Sequence, residues 1–73
     1  MSRYLPIFGP NTRQWWIYDE DLDVYIDPPS SVLDNIAKVK PEKQEERLRV
    51  LANIEPSPKW LHETEYHYVE LEP

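Results

Sequence analysis

Hydrophobic and polar residues alternate along two neighbouring stretches of the chain, and each stretch predicts a β-strand. Residues 15–18 (WWIY) are aromatic and β-branched, which favours strand. Residues 22–27 alternate strictly, which places Leu22, Val24 and Ile26 on one face and Asp23, Tyr25 and Asp27 on the other. The three acids of residues 19–21 separate the two stretches and predict a tight turn. Together they predict a β-hairpin.

The apolar spacing becomes helical after the two prolines at positions 28 and 29. Ser30 or Ser31 is expected to cap a first helix, with Asp34 in its first turn. A second helix is expected to begin at Pro41 and to stop at Asn53. The apolar positions of the two helices are Val32, Leu33, Ile36 and Val39, and then Leu48, Leu51 and Ile54.

Alternation returns over residues 64–71, which predict a final strand that pairs with the hairpin. In that strand His67, Val69 and Leu71 would share one face, and Tyr66 and Tyr68 the other. Residues 4–8 are expected to add a short edge strand. The predicted fold is therefore α+β: a small antiparallel sheet, made of an N-terminal hairpin and a C-terminal strand, packed by one or two helices. A chain of 73 residues has room for a single domain, residues 1–73.

Charge and composition narrow the function classes. The net charge of −6 opposes a nucleic-acid backbone, so no direct, specific nucleic-acid binding is expected. There is no cysteine, which excludes disulfides and thiolate metal sites. The first residues lack the apolar region of a signal peptide, and no apolar stretch is long enough to span a membrane. A cytoplasmic monomer is the expectation.

The candidate catalytic and metal-binding residues lack the accompanying residues that such sites need. Asp19, Asp21 and Asp23 match the first positions of a calcium loop, but the glycine and the glutamate that such a loop needs are missing. His62 and His67 might suggest a zinc site, but they are five residues apart, and residues at that spacing do not lie on the same face of a helix. None of the serines lies in the Gly-x-Ser-x-Gly motif that surrounds the nucleophile of many hydrolases. No catalytic residue, metal or cofactor is predicted, and the chain is not expected to be an enzyme.

The chain has one basic segment. Residues 38–54 carry five Lys/Arg against three Asp/Glu, whereas the segments on either side are acidic. The acids are interleaved with the cations, so a solvated helix face is the favoured interpretation. A secondary contact to RNA or to an acidic protein surface stays open.

The Trp15-Trp16 pair raises the question of what covers the sheet. Adjacent strand residues face opposite ways, so one sheet face cannot bury both rings. If Trp15 joins Ile17 in the core, Trp16 and Tyr18 lie on the second face near Tyr25. That face needs a cover, which is the N-terminal segment, a partner protein or a second helix layer. Clustered aromatic side chains are typical of binding hot spots.

The whole chain resembles the small phage-encoded regulators that bind host RNA polymerase. The likeness lies in its length, the YLPIF start at residues 4–8, the WWIY strand at residues 15–18, the lack of cysteine and the acidic body. The resemblance implies binding to the β′ subunit near the RNA exit channel, inhibition of σ-dependent initiation and promotion of antitermination. It transfers no contact residues.

The predicted partner-binding residues come from the pattern alone. They are Arg3, Tyr4 and Leu5 on a free N-terminal segment, Trp16 and Tyr18 on the second sheet face, and Asp19, Glu20 and Asp21 in the turn. Two other functions remain open: an acidic DNA mimic that inhibits a DNA-binding protein or nuclease, and a structural subunit of a virion or larger complex.

Overall fold

The structure, a computed structural model, describes residues 3–69 and 72–73. In chain order the elements are β1 (Tyr4–Phe8), β2 (Trp15–Asp19), β3 (Val24–Ile26), α1 (Ser30–Ala37), α2 (Pro41–Ala52), two 3-10 turns (Lys59–Leu61 and Thr64–Tyr66) and β4 (His67–Tyr68). The strands form one antiparallel sheet in the order β1-β2-β3-β4. The predicted α+β class is confirmed, as are the hairpin, the edge strand and the pairing of the last strand with the hairpin.

The core lies between one face of the sheet and the helices. Ile17 and Ile26 are register partners on β2 and β3, and both are fully buried. Ile36 of α1 and Leu48 of α2 pack into the same cluster. Burial of each such side chain stabilises the fold by roughly 1.5–3 kcal/mol. These four buried aliphatic side chains therefore hold the helices against a single sheet face.

The hairpin turn is longer than the sequence predicts. Residues 20–23 form the turn, and the N–H of Asp23 donates to the carbonyl oxygen of Asp19 at 2.8 Å. Asp23 has a φ of 54°, in the left-handed region that aspartate tolerates better than most residues. Leu22 was expected in a strand, on the same face as Val24 and Ile26. It lies in the turn instead, and is 55% exposed.

The start of α1 also differs from the prediction. The N-cap is Pro29, held extended at φ −64° and ψ 158°, and no side chain caps the helix. Ser30 is already the first helical residue, and Asp34 lies beyond the first turn. The helix therefore begins at least one residue earlier than the serine pattern predicts, because the extended Pro29 already occupies the N-cap position.

Helix α2 begins and ends where it was predicted. Pro41 occupies its first turn, and the helix ends at Ala52. The side-chain amide of Asn53 donates to the carbonyl oxygens of Arg49 at 2.8 Å and Tyr4 at 3.2 Å. The same residue that terminates α2 therefore ties the helix to the beginning of β1.

The predicted strand over residues 64–71 is mostly wrong. Of the described residues 64–69, only His67–Tyr68 is a strand, and Thr64–Tyr66 is a 3-10 turn in which the N–H of Tyr66 donates to the carbonyl oxygen of Glu63 at 3.1 Å. Because of this 3-10 turn, the Tyr66 side chain packs against the core and does not share a sheet face with Tyr68. The predicted position of Leu71 lies outside the described residues.

The last residue is held against the β1–β2 connection. The carbonyl oxygen of Pro73 accepts hydrogen bonds from the N–H groups of Asn11 at 2.9 Å and Thr12 at 2.8 Å. Gly9 is buried here, and a Cβ on it would lie 2.7 Å from the Cβ of Pro73. The close approach requires glycine at this position.

Among the helices of residues 3–69, none has the length and apolar character needed to cross a membrane.

Candidate functional site

The sheet presents a second face, directed away from the helices, which we call the open face. Because side chains alternate along a strand, residues paired across the sheet share a face. The register pairs Leu5 with Tyr18, Ile7 with Trp16, and Tyr25 with both Tyr18 and Tyr68. The open face is therefore formed by Leu5, Ile7, Trp16, Tyr18, Tyr25 and Tyr68.

Two aromatic pairs organise the open face. The Tyr18 and Tyr25 rings lie with their centroids 5.3 Å apart and are tilted by 47°. The Trp16 and Tyr68 rings meet edge to face at 5.7 Å. The indole N–H of Trp16 donates to Oγ1 of Thr12 at 2.7 Å. Both arrangements are favourable aromatic geometries, so the rings hold one another in place.

Trp16 itself is covered by the chain. It is only 3% exposed, since Thr12 and Tyr68 contact its ring. The alternative of an internal cover therefore holds for this one ring. Leu5, Ile7 and Tyr25 remain half-buried, and in the described part of the chain none of them belongs to the core against which the helices pack. The accessible part of the open face lies on β1 and the β2–β3 hairpin.

An acidic rim borders the open face at the hairpin turn. Glu20 and Asp21 are exposed there. The hydroxyl of Tyr18 donates to Oδ1 of Asp23. This hydrogen bond, with slight desolvation and the nearby negative charges, raises the pKa of Tyr18 to about 12. The Tyr18 hydroxyl is thus a neutral, oriented group at the edge where Glu20 and Asp21 are exposed, and Oδ2 of Asp21 lies 3.5 Å from Nε of Arg3.

Asp19 has a structural role and is not available to a partner. Its side chain is fully buried, and Arg3 donates to both carboxylate oxygens, Nε to Oδ1 at 2.9 Å and Nη2 to Oδ2 at 3.0 Å. Burial raises the pKa of this carboxyl, but hydrogen bonds from Arg3 and from the backbone N–H groups of Leu22 and Asp21 outweigh burial and hold it below its usual range. The bond to Asp19 also raises the pKa of Arg3.

The predicted partner-binding residues do not all lie on one accessible surface. A free N-terminal segment over Arg3, Tyr4 and Leu5 is wrong for the described residues, because β1 begins at Tyr4 and pairs with β2 along its whole length. Tyr4 is buried in the core, and Arg3 is engaged by Asp19. Leu5 faces the open side of the sheet.

The remaining predicted residues divide in the same way. Tyr18 lies on the open face, and Glu20 and Asp21 form its rim, whereas Trp16 and Asp19 are buried. The sequence analysis did not predict that Ile7 and Tyr68 belong to the open face. It named Tyr25 only as a neighbour of Trp16 and Tyr18. Ile7 can be assigned to the open face only when the β1–β2 register is known. The alternation of residues within β1 does not define that register.

The aspartate carboxylates of the acidic turn are engaged by other side chains of the protein. In the part of the chain that the structure describes, no three His, Asp or Glu side chains come together in a way that suits a metal ion. The carboxylates that resembled a calcium loop are instead directed to Arg3 and to Tyr18.

Comparisons with known proteins found no matching family model, no similar curated protein and no similar solved structure.

Proposed function

We propose that the chain is a regulatory protein that binds another protein through its open face, and that it catalyses no reaction. The observation that carries the proposal is the set of half-buried apolar and aromatic side chains on a sheet face that no helix covers. Contiguous apolar patches on small soluble proteins commonly mark interaction sites. Tyrosine is also enriched among the residues that dominate binding energy.

The chemistry of this face favours a basic partner. Glu20 and Asp21 stand at its edge, and the chain as a whole carries −6. A positively charged surface would approach faster and in a preferred orientation. Arginine or lysine side chains of the partner would also lie favourably on the faces of Tyr18 and Tyr25.

The partner we propose is bacterial RNA polymerase, through its β′ subunit near the RNA exit channel. The consequences would be inhibition of σ-dependent initiation and promotion of antitermination, by a monomer in the bacterial cytoplasm. Support for this choice comes from the resemblance of the chain to phage-encoded polymerase regulators and from the acidic rim beside the aromatic face.

A DNA-mimic function ranks second. A mimic needs carboxylates that are free and spaced like phosphates. Here the carboxylates of Asp19 and Asp23 are bound to Arg3 and Tyr18, and that of Asp27 accepts a hydrogen bond from Gln14 at 2.7 Å. Because these carboxylates are engaged within the protein, they are not free to imitate a row of DNA phosphates.

Binding to core RNA polymerase purified from several bacterial species tests the proposal. The double variant Leu5→Ser/Tyr25→Ser should weaken binding roughly 100-fold, as expected for two central contacts. The matched control is Phe8→Ser, which removes a 47% exposed side chain from the other face of β1 and should bind nearly as the wild type does.

Two results would count against the account. If no polymerase binds the wild-type chain, the proposed partner is wrong. If the polymerase binds and the control variant loses as much affinity as the double variant, the open face is not the contact surface. A DNA mimic would instead show binding that collapses at moderate salt and upon charge reversal at Glu20 and Asp21.

A further inference from the structure

A second surface lies on the helical side of the molecule, where the α1–α2 connection meets α2. It is a groove of about 460 Å³, which we call the basic groove. Its lining residues are Lys38, Val39, Lys40, Lys43, Glu46, Arg47 and Val50. Four cations therefore face a single carboxylate, in a chain whose net charge is −6.

The helix separates charges that the sequence interleaves. Lys43, Arg47 and Val50 are four and three residues apart, so they lie on one side of α2. Glu42 and Glu45 do not line the groove. Two of the three acids of the basic segment therefore lie away from the groove, while Glu46 lines it. The side of α2 that faces the groove is exposed, as a solvated helix face would be, but cations outnumber acids on it.

The walls of the groove are fixed by hydrogen bonds. The Gln44 side chain donates to the carbonyl oxygen of Val39 at 3.2 Å and accepts from the indole N–H of Trp15, also at 3.2 Å. Nη1 of Arg47 donates to Oδ1 of Asn35 on α1 at 3.2 Å. The connection is therefore held to the sheet and α2 to α1, so the groove exists before any ligand arrives.

The lysines of the groove are unengaged by the rest of the described chain. Over residues 3–69 and 72–73, the ion pairs join Arg3 to Asp19 and Asp21, and none involves Lys38, Lys40 or Lys43. Positive charge held together in this way attracts a negatively charged ligand.

The floor of the groove is aliphatic. Val39 is half-buried there and Val50 is 51% exposed, while no aromatic side chain lines the groove. Single-stranded nucleic acid is usually held by rings on which its bases stack, and such rings are missing from this lining. An aliphatic floor with a cationic border matches a peptide that carries a leucine or isoleucine between carboxylates.

We propose that the basic groove binds an acidic peptide segment of a partner protein, with an aliphatic side chain of that segment on Val39 and Val50 and its carboxylates on the surrounding lysines. This contact is independent of the open face, because no residue belongs to both surfaces. The chain would then join two protein surfaces of opposite charge.

Amide NMR of the isotope-labelled chain tests this proposal. The probe is a short synthetic peptide with a central leucine flanked by aspartates and glutamates. Saturable shifts are expected at Lys38, Val39, Lys43 and Val50. A peptide with serine in place of leucine should bind roughly tenfold more weakly, the equivalent of about 1.4 kcal/mol. A peptide with Asn and Gln in place of the acids should not bind measurably.

Two pairs of variants distinguish binding in the basic groove from a general effect of the charge of the protein. Lys43→Glu should weaken the peptide roughly tenfold, because an attraction becomes a repulsion. Its control is Lys59→Glu, the same charge change on an exposed lysine outside the groove, which should have little effect. Val50→Ser should weaken binding, and Val69→Ser, at a 71% exposed valine elsewhere, should not. Amide spectra of each free variant check that it is folded.

The proposal is overturned if the acidic peptide leaves the groove amides unshifted, if the serine peptide binds as tightly as the leucine peptide, or if each groove variant matches its control. It is equally overturned if single-stranded oligouridylate of the same charge binds the groove more tightly than the peptide, since the groove would then be a nucleic-acid site.

Discussion

Arg3 and Asp19 form a two-pronged ion pair that joins the start of β1 to the end of β2. The distances are 2.9 Å from Nε to Oδ1 and 3.0 Å from Nη2 to Oδ2. The Asp19 carboxylate also accepts the backbone N–H groups of Asp21 at 3.0 Å and Leu22 at 3.3 Å. One buried carboxylate thus fixes the edge strand and shapes the turn that carries the acidic rim of the open face.

Arg3→Met should destabilise the chain, because it leaves the Asp19 carboxylate buried without its cation. The arginine side chain is 39% exposed, so the cost should fall below that of a fully buried pair, at about 2 kcal/mol. Urea unfolding followed by tryptophan fluorescence measures it. Lys59→Met, which removes an exposed lysine, should stay within about 0.5 kcal/mol of the wild type. Equal losses in the two variants would show that the ion pair contributes nothing.

The stability contributed by Asp19 should disappear in acid. Its pKa is lowered in the folded state, so the contribution is present above the unfolded pKa of about 4 and is lost as the pH falls through the folded value. The difference in the free energy of unfolding between the wild type and Asp19→Asn should be constant near neutral pH and shrink below about pH 4. This comparison cancels the other carboxyl groups. A difference that widens on acidification would contradict the pair.

Tyr18 should lose its proton later than an ordinary tyrosine. The hydrogen bond to Asp23 raises its pKa to about 12, and Asp23→Asn should return it towards about 10. Asparagine tolerates the left-handed backbone of position 23, so the turn should persist. The ring-carbon shifts of Tyr18 are followed by NMR as the pH rises. Asp21→Asn removes a charge from the same turn but not the hydrogen bond, and should leave the Tyr18 titration nearly unchanged.

Gly9→Ala should destabilise the region beneath Trp16. The new methyl group would lie 2.6 Å from Oγ1 of Thr12 and 2.8 Å from the carbonyl oxygen of Pro73. Relief of such overlap costs about 1–3 kcal/mol, and it would displace the acceptor of the Trp16 indole. Urea unfolding measures the loss, with Ser31→Ala on the exposed side of α1 as the control. An alanine variant as stable as the wild type would contradict the close approach.

Local patterns predicted most of the architecture. The hairpin, the start of α2 at Pro41 and its end before Asn53 follow from alternation, proline placement and helical spacing within a few residues. The C-terminal strand was overpredicted because alternation over residues 64–71 does not distinguish a strand from a 3-10 turn followed by a short strand. The start of α1 was misplaced because the serine pattern ignored the extended backbone of Pro29.

The candidate site was harder to predict because its contacts are distant in sequence. Arg3 and Asp19 are 16 residues apart, and only the β1–β2 register brings them together. The acidic turn was predicted to be a contact surface, but the burial of Asp19 within it depends on that pair. Tyr18 was placed correctly on the second face, since alternation on β2 suffices once Ile17 is assigned to the core.

The account depends on the open face being the surface that a partner covers. Hydroxyl-radical footprinting of the chain, free and bound to RNA polymerase, tests this directly, because it reports the solvent access of individual apolar and aromatic side chains. Leu5, Ile7, Tyr18 and Tyr25 should become protected in the complex, while Phe8 and Val50 keep their reactivity. Protection confined to the helices, with the open face as reactive as in the free chain, would contradict the account.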